Sequence, residues 1–506
     1  MEKYMRLYPA VGLMCIVWVF SSPTSAQNLT GEDKYTYLKQ LDHFLSIPNN
    51  GLYNEHIEPN IEWLIEAFSQ LDFDAKRLET NGQPLFFAQK IRREDLPTVL
   101  FYMHLDGQSV DSTVWNQPNP YEPVYKSRTE MGDWQIMSEE VPEPPYDQEW
   151  RIFARSASDD KGPIIMLLAA LQELQKEKQE LAYNVKIILD SEEERGSPHL
   201  LSSVQRYSDL LSSDYLVVSD GPMHDSGLPT LTYGVRGITR MTLEIYGPSK
   251  PQHSGHFGNY APNPVFRAAH LLASMKDEQG RVVIPGYYDG VSFDSLALHV
   301  MAAVPDNEEA IQERAGFKEP EKVGINYQEA MQFPSLNVRG IRSAWVGNEA
   351  RTIVPDKVIV EIDIRTVPNT DGNRLAGLVK EHIKQQGYTI LDAVPTQEEM
   401  LSIEKPIFVE HTVSMYPFRT PLDSKLGAWL KDALEKAHRK EVVQIRILGG
   451  SLPLSFFLNE LDIPAVLAPL VNADNNQHSP NENLRLGNFF DGIHSFRSIL
   501  INPIPE

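Results

Sequence analysis

The sequence predicts an α/β protein whose mostly parallel sheet, flanked by helices, is interrupted by a smaller α+β domain. Four short apolar runs bounded by polar residues, Thr98 to Met103, Val185 to Leu189, Tyr215 to Val218 and Ala465 to Leu470, read as strands buried on both faces. Between the first two, Pro163 to Leu174 carries apolar residues at helical spacing and opens on Gly162-Pro163, so strand and helix alternate as in an α/β layer fold. From about residue 236 the pattern changes, because Ile238 to Tyr246 and Val358 to Arg365 alternate apolar and polar residues as strands with one exposed face do.

Along the chain, residues 1–26 read as a signal peptide. Lys3 and Arg6 precede an apolar run, Val11 to Phe20, that is too short to span a bilayer, and Thr24-Ser25-Ala26 supplies the small residues of a cleavage site before Gln27. Export to a periplasm or to the exterior is therefore expected, with no stable membrane anchor after cleavage. Residues 27–235 form the first part of the larger domain, 236–415 the inserted domain and 416–506 the second part. Residues 116–149, rich in proline among polar and aromatic residues, read as a long loop. Helices near Asn263 to Met275 and Asn373 to Gln386 are expected against one face of the inserted sheet.

A chain of 506 residues with 42% hydrophobic and 23% charged residues is neither disordered nor a multi-spanning membrane protein. Its 69 acidic against 46 basic residues, a net charge of −23, repel nucleic acid and anionic membranes. The single cysteine, Cys15, permits no disulfide framework and no thiolate metal site, so a metal must be held by His, Asp and Glu.

Potential ligands follow each of the four apolar runs: His104-Leu105-Asp106, Glu192-Glu193-Glu194, Asp220 and His478. A further cluster, Ser158-Asp159-Asp160-Lys161-Gly162, opens the helix. Taken singly, each is a turn residue, a helix cap or a solvated acidic loop. Together they fall beyond the carboxyl ends of strands of one sheet, where ligand sites of open α/β folds form. Imidazole with carboxylate suits a pair of zinc-like ions. Calcium would want an all-oxygen loop, and a glycosidase carboxylate pair would leave His104 and His478 without a role.

With Ser158-Asp159-Asp160-Lys161-Gly162-Pro163, Glu193-Glu194-Arg195-Gly196-Ser197, Ser219-Asp220, Gly449-Gly450-Ser451-Leu452-Pro453 and Gln477-His478-Ser479 following His104-Leu105-Asp106 in order, the chain resembles the carnosinase-type metallopeptidases. That family includes nonspecific dipeptidases, glutamate-releasing carboxypeptidases, aminoacylases and succinyl-diaminopimelate desuccinylases. The resemblance implies a zinc-exopeptidase-like catalytic domain, a ferredoxin-like lid and dimerisation domain, and two divalent ions, Zn2+ first with Mn2+ or Co2+ as alternatives. It implies that Asp159 bridges the ions, with His104 and Asp220 completing one site and Glu194 and His478 the other. Asp106 would orient His104, and Glu193 would be the general base. The Asp159–Asp160 peptide would be cis. His253 would reach the active site of the partner in a homodimer, Arg365 would bind the substrate carboxylate, and Thr352, Gly450 and Ser451 would line the pocket.

Two departures bear on substrate. Leu448 stands where dipeptidases of the family carry a Glu before Gly-Gly-Ser, and the stretch Tyr416 to Asp423 has no clear equivalent of the second pocket His of mammalian dipeptidases, Arg419 being the nearest polar candidate. The expected function is an exported exopeptidase that hydrolyses the amide bond next to a free C-terminal carboxylate in a small peptide. The alternatives are an N-acyl-amino-acid amidohydrolase and a non-catalytic binding protein, the latter disfavoured by the intact Glu193.

Overall fold

The computed structural model describes residues 29–505, so the expected signal peptide lies outside the described residues. The main sheet has eight strands in the order 74–78, 85–90, 184–190, 98–104, 215–218, 465–467, 230–232 and 443–445. Its centre is parallel: Thr98–His104 pairs in parallel with Asn184–Asp190 on one side and with Tyr215–Val218 on the other, and Tyr215–Val218 pairs in parallel with Ala465–Leu467. All four apolar runs are thus adjacent central strands, and His104 stands in register with Asp190, so the loops after both leave the sheet at one edge.

The central strands are largely apolar because both faces are covered, with Lys186 the one charged side chain between their end residues, its Nζ donating to the Leu210 and Ser212 carbonyls. Val99, Phe101, Met103, Ile187 and Val217 pack beneath helices Gly31–Ser46, Lys161–Lys176, Lys425–His438 and Leu486–Ile501. Leu100, Tyr102, Ile188, Leu216 and Val218 face helices Leu200–Arg206 and Ser455–Leu461. Each such side chain removed from water contributes roughly 1.5–3 kcal/mol before chain entropy is counted.

The inserted domain is built on a five-stranded sheet in the order 337–342, 357–366, 237–246, 406–415 and 389–391, with only the last pair parallel. Its alternation is as read. Met241, Leu243, Ile245, Val358, Val360, Ile362 and Ile364 are buried under helices Pro264–Ala273 and Gly372–Gln385, while Arg240, Thr242 and Glu244 point to the other face. Four of the strands and these two helices follow one another as strand, helix, strand, strand, helix, strand, which is the ferredoxin-like arrangement.

The stretch 116–149 is not the structureless loop expected from its prolines. Strands Val124–Arg128 and Trp134–Ser138 form a hairpin that joins Arg151–Phe153 and Asn483–Arg485 in a four-stranded sheet. The pattern was hidden because cations do the packing: Lys126 lies 4.3 Å from the Phe153 ring, and Arg128 and Arg151 lie 4.4 and 4.8 Å from Trp134. Two antiparallel outer strands, Asp74–Leu78 and Leu85–Lys90, also went unread beside the apolar centre.

Candidate metal centre

His104 is the last residue of its strand, Asp220 follows Val218 by two residues, and Glu193 and Glu194 begin the short turn after Asp190. Asp159 lies in the tight turn before helix Lys161–Lys176, and His478 lies in the loop returning from Ala465–Leu467. The turn needs Gly162, since a β-carbon there would stand 2.3 Å from the Ala157 carbonyl oxygen. The Asp159–Asp160 peptide bond is cis.

These loops converge on two donor sets that share one carboxylate. Asp159 Oδ1 is 2.7 Å from His104 Nε2, and Asp220 Oδ1 is 3.9 Å from the same nitrogen. Asp159 Oδ2 is 3.0 Å from His478 Nε2, which is 3.2 Å from Glu194 Oε2. His104, Asp159 and Asp220 form one group of ligand atoms lying within 4.8 Å of one another, and Asp159, Glu194 and His478 form another. His104 is buried, whereas the His478 side chain is 57% exposed, so the pair opens to solvent on the His478 side.

Asp106 meets the His104 imidazole at Nδ1. Its strand ends at His104, so alternation no longer sets its direction: the Asp106 carbonyl oxygen is 3.0 Å from His104 Nδ1 and its carboxylate 3.6 Å. An Nδ1–H donated to that carbonyl leaves Nε2 free to ligate. The Asp106 carboxylate also accepts the backbone N–H groups of Glu193 and Glu194 at 3.0 and 3.2 Å, fixing the loop that carries the expected base and a ligand.

Glu482 escaped the sequence reading. Its buried carboxylate accepts the backbone N–H groups of Ser156, Ser158 and Asp159 at 2.8, 2.9 and 3.0 Å and receives Arg155 Nη1 at 2.7 Å, so it holds the turn that presents Asp159. Its one sequence signal was an acid four residues after His478. Gln477 Nε2 donates to Asp159 Oδ2 at 3.2 Å and Gln108 Nε2 to Glu194 Oε2 at 2.7 Å. Asn49 braces two of the loops, donating to the Leu105 carbonyl and to Ser156 Oγ at 2.8 and 2.9 Å.

The electrostatics fit cations. Burial pushes the Glu194 carboxyl up to about 7, with the Asp159 charge adding to it, and burial pushes Asp220 up to about 6. Burial would raise Asp159 too, but hydrogen bonds to His104 and His478 hold it well below the carboxylate range. The hydrogen bond to Asp159 lifts His478 to about 9. Glu193 is raised, first by burial. Two imidazoles do not neutralise this many sheltered carboxyl groups, and divalent ions bound by N and O donors would.

Arg365 Nη1 donates to Ser451 Oγ at 2.8 Å, bringing two expected substrate residues together from the two domains. Gly450 accepts the Arg236 N–H at 3.0 Å through its carbonyl. His253 and Thr352 are not brought to Arg365 and Ser451 by any contact within the described residues. They lie exposed on a short ribbon, 252–253 against 353–354, where the Thr352 carbonyl accepts the Ser254 N–H at 3.0 Å and His253 Nδ1 accepts that of Gly255 at 3.1 Å. Leu448 packs half-buried against the cluster of Val235, Phe418 and Leu454.

Residues 100–502 match the model of peptidase family M20/M25/M40, and the chain belongs to that family of metallopeptidases. It is 26% identical over 422 residues to human Beta-Ala-His dipeptidase, covering 80% of this chain and 74% of that protein. It is 28% identical over 362 residues to the Cys-Gly metallodipeptidase dug1 of Schizosaccharomyces pombe, covering 69% and 72%. An M20 family metallo-carboxypeptidase from Sulfolobus solfataricus superposes with a TM-score of 0.71 at 26% identity, covering 92% of this chain and 98% of that one.

Proposed function

We propose that this metallopeptidase is a dinuclear exopeptidase that removes the C-terminal residue of dipeptides or short peptides. The observation that carries the reading is the division of the Asp159 carboxylate between His104 and His478, which creates two donor sets a single ion could not use. Residues His104, Asp159 and Asp220 would hold one divalent ion, and Asp159, Glu194 and His478 the other, with Zn2+ the best match to the donors. Bound there, the ions supply Lewis acidity and lower the pKa of water. Glu193 takes the proton of the attacking water and delivers it to the leaving amine, a role supported by its half-buried place beside Glu194. Arg365 and Ser451 receive the substrate carboxylate, and Arg365 offers a bidentate fork for it.

The related dipeptidases support a dipeptide substrate. Leu448 favours a second reading, an amidohydrolase of N-acyl amino acids, because an apolar side chain cannot pair with a free amine. A homodimer through the inserted domain is supported by its exposed Tyr260, Phe266, Ile341, Trp345 and Val346, and it would supply His253 to the partner's scissile carbonyl. Export rests on residues 1–26 alone.

The deciding experiment is kcat/KM of the zinc-loaded protein on a dipeptide and on the N-acetyl amino acid with the same leaving residue, with Glu193→Gln as blank. Preference for the dipeptide supports the exopeptidase, preference for the acetylated compound supports the amidohydrolase, and no turnover of either overturns both.

A further inference from the structure

Within the inserted domain, the segment from Lys276 to Leu336 folds over Arg236 and leaves a half-open cavity of about 540 Å³, a volume in the range of small-molecule sites. Its walls are largely apolar, with Tyr288, Ile311, Phe317 and Phe333 among them, and its two acids are engaged, Glu321 with Lys276 at 2.8 Å and Glu308 with the Tyr327 N–H at 2.9 Å. Arg236 lies in the wall and is only 6% exposed. Its Nη2 donates to the Phe333 carbonyl at 2.8 Å, its Nη1 meets only the Met331 sulfur at 3.7 Å, and its Nε has no partner. Thioether sulfur is a weak acceptor. The buried arginines Arg151 and Arg155 are paired with Asp474 and Glu482, whereas Arg236 has no carboxylate within ion-pair distance among the described residues. A sheltered guanidinium facing an apolar cavity with donors to spare is arranged for an anion that arrives with its own apolar body.

We propose that this cavity is a binding site for a carboxylate bearing an extended apolar group, with Arg236 holding the carboxylate and the Tyr288, Ile311 and Phe317 walls holding the apolar part. The ligand is either a free medium-chain acid or the apolar C-terminal end of a peptide, since both present the same chemistry. The site adjoins Arg365, because Ser335 lines the cavity and its hydroxyl accepts the Arg365 backbone N–H at 3.2 Å. None of its lining residues belongs to the metal cluster, so the outcome does not depend on the hydrolytic reading.

The test is calorimetric titration of the full-length Glu193→Gln protein with octanoate, with octanol as the neutral control and with acetyl-Leu-Phe as competitor. Octanoate is expected to bind once per chain, and Arg236→Met to weaken it about ten- to a hundredfold, with octanol at least about tenfold weaker than octanoate, as loss of a charged hydrogen bond implies. Ile311→Trp fills the cavity from the opposite side with Arg236 intact and abolishes binding, which decides the matter if Arg236→Met melts early. Displacement of octanoate by acetyl-Leu-Phe in an Arg365→Ala background assigns the site to peptide ends, and no displacement assigns it to free acids. Absence of octanoate binding, or binding untouched by Ile311→Trp, overturns the proposal.

Discussion

Arg365, near the end of an inserted-domain strand, donates through Nη1 to the hydroxyl of Ser451 on the catalytic side at 2.8 Å. The guanidinium is thereby aimed across the domain boundary, with Asp363 3.7 Å from Nε as its other polar neighbour. A carboxylate arriving at this point meets a fork already oriented, so little ordering remains to be done on binding.

Replacing Arg365 with Ala is expected to lower kcat/KM for carboxylate substrates by about 10²-fold, mainly through KM, because a charge-assisted bidentate contact is lost. Ser451→Ala removes only the orienting hydroxyl and should cost about tenfold or less. Steady-state kinetics on a dipeptide and on its C-terminal amide check both, and equal losses on the two substrates would return Arg365 to a structural ion pair.

Glu193→Gln should keep the metal content of the parent while lowering kcat by about 10²–10⁴-fold, the usual contribution of a positioned base. Metal analysis alongside turnover separates this from Glu194→Gln, which is expected to lose one ion.

Glu482→Ala leaves three buried N–H groups without an acceptor and Arg155 without its partner, so urea unfolding should show a loss of at least about 3 kcal/mol. Glu482→Gln keeps one carbonyl acceptor and should fall between. Both variants are expected to bind metal more weakly than the parent, measured by competition with a chromophoric chelator, because the turn presenting Asp159 loses its anchor.

Chelation is expected to abolish turnover and to lower the melting temperature, since ions that bind only the folded chain at a hundred times their Kd stabilise it by about 2.7 kcal/mol each. Differential scanning calorimetry with and without added Zn2+ checks this, and a melting temperature indifferent to metal would count against both donor sets.

If His253 serves the neighbouring subunit, mixed dimers of His253→Ala and Glu193→Gln chains regain one complete site each, and co-expression should restore about a quarter of parental activity from two inactive parents. A mixture as inactive as its components would place His253 outside the reaction.

Much of this arrangement was legible because the chemistry is carried by short, buried strands. Thr98–His104 and Tyr215–Val218 have no polar face, so their apolar runs mark them and the polar residues just past them mark the ligand edge. Lys126 and Arg151 concealed the hairpin sheet by packing as hydrocarbon and ring partners while reading as charges. Glu482 was invisible for a different reason: its partners are backbone N–H groups more than three hundred residues away in sequence, and backbone donors leave no trace in a sequence. Asp106 was found for its position beside His104, but its hold on the loop of Glu193 and Glu194 runs through backbone N–H groups and could not be read.

The strand Ala465–Leu467 enters the main sheet between Tyr215–Val218 and Thr230–Thr232, after the whole inserted domain has been made. A nascent chain that has left the ribosome as far as residue 464 therefore has His104, Asp159 and Asp220 but lacks His478, Gln477 and Glu482. Its sheet stays open, its second donor set lacks an imidazole and the Asp159 turn lacks its anchor. The second donor set can assemble only after the segment beyond residue 464 has been made, so a chain stopped there cannot hold a pair of ions between its loops.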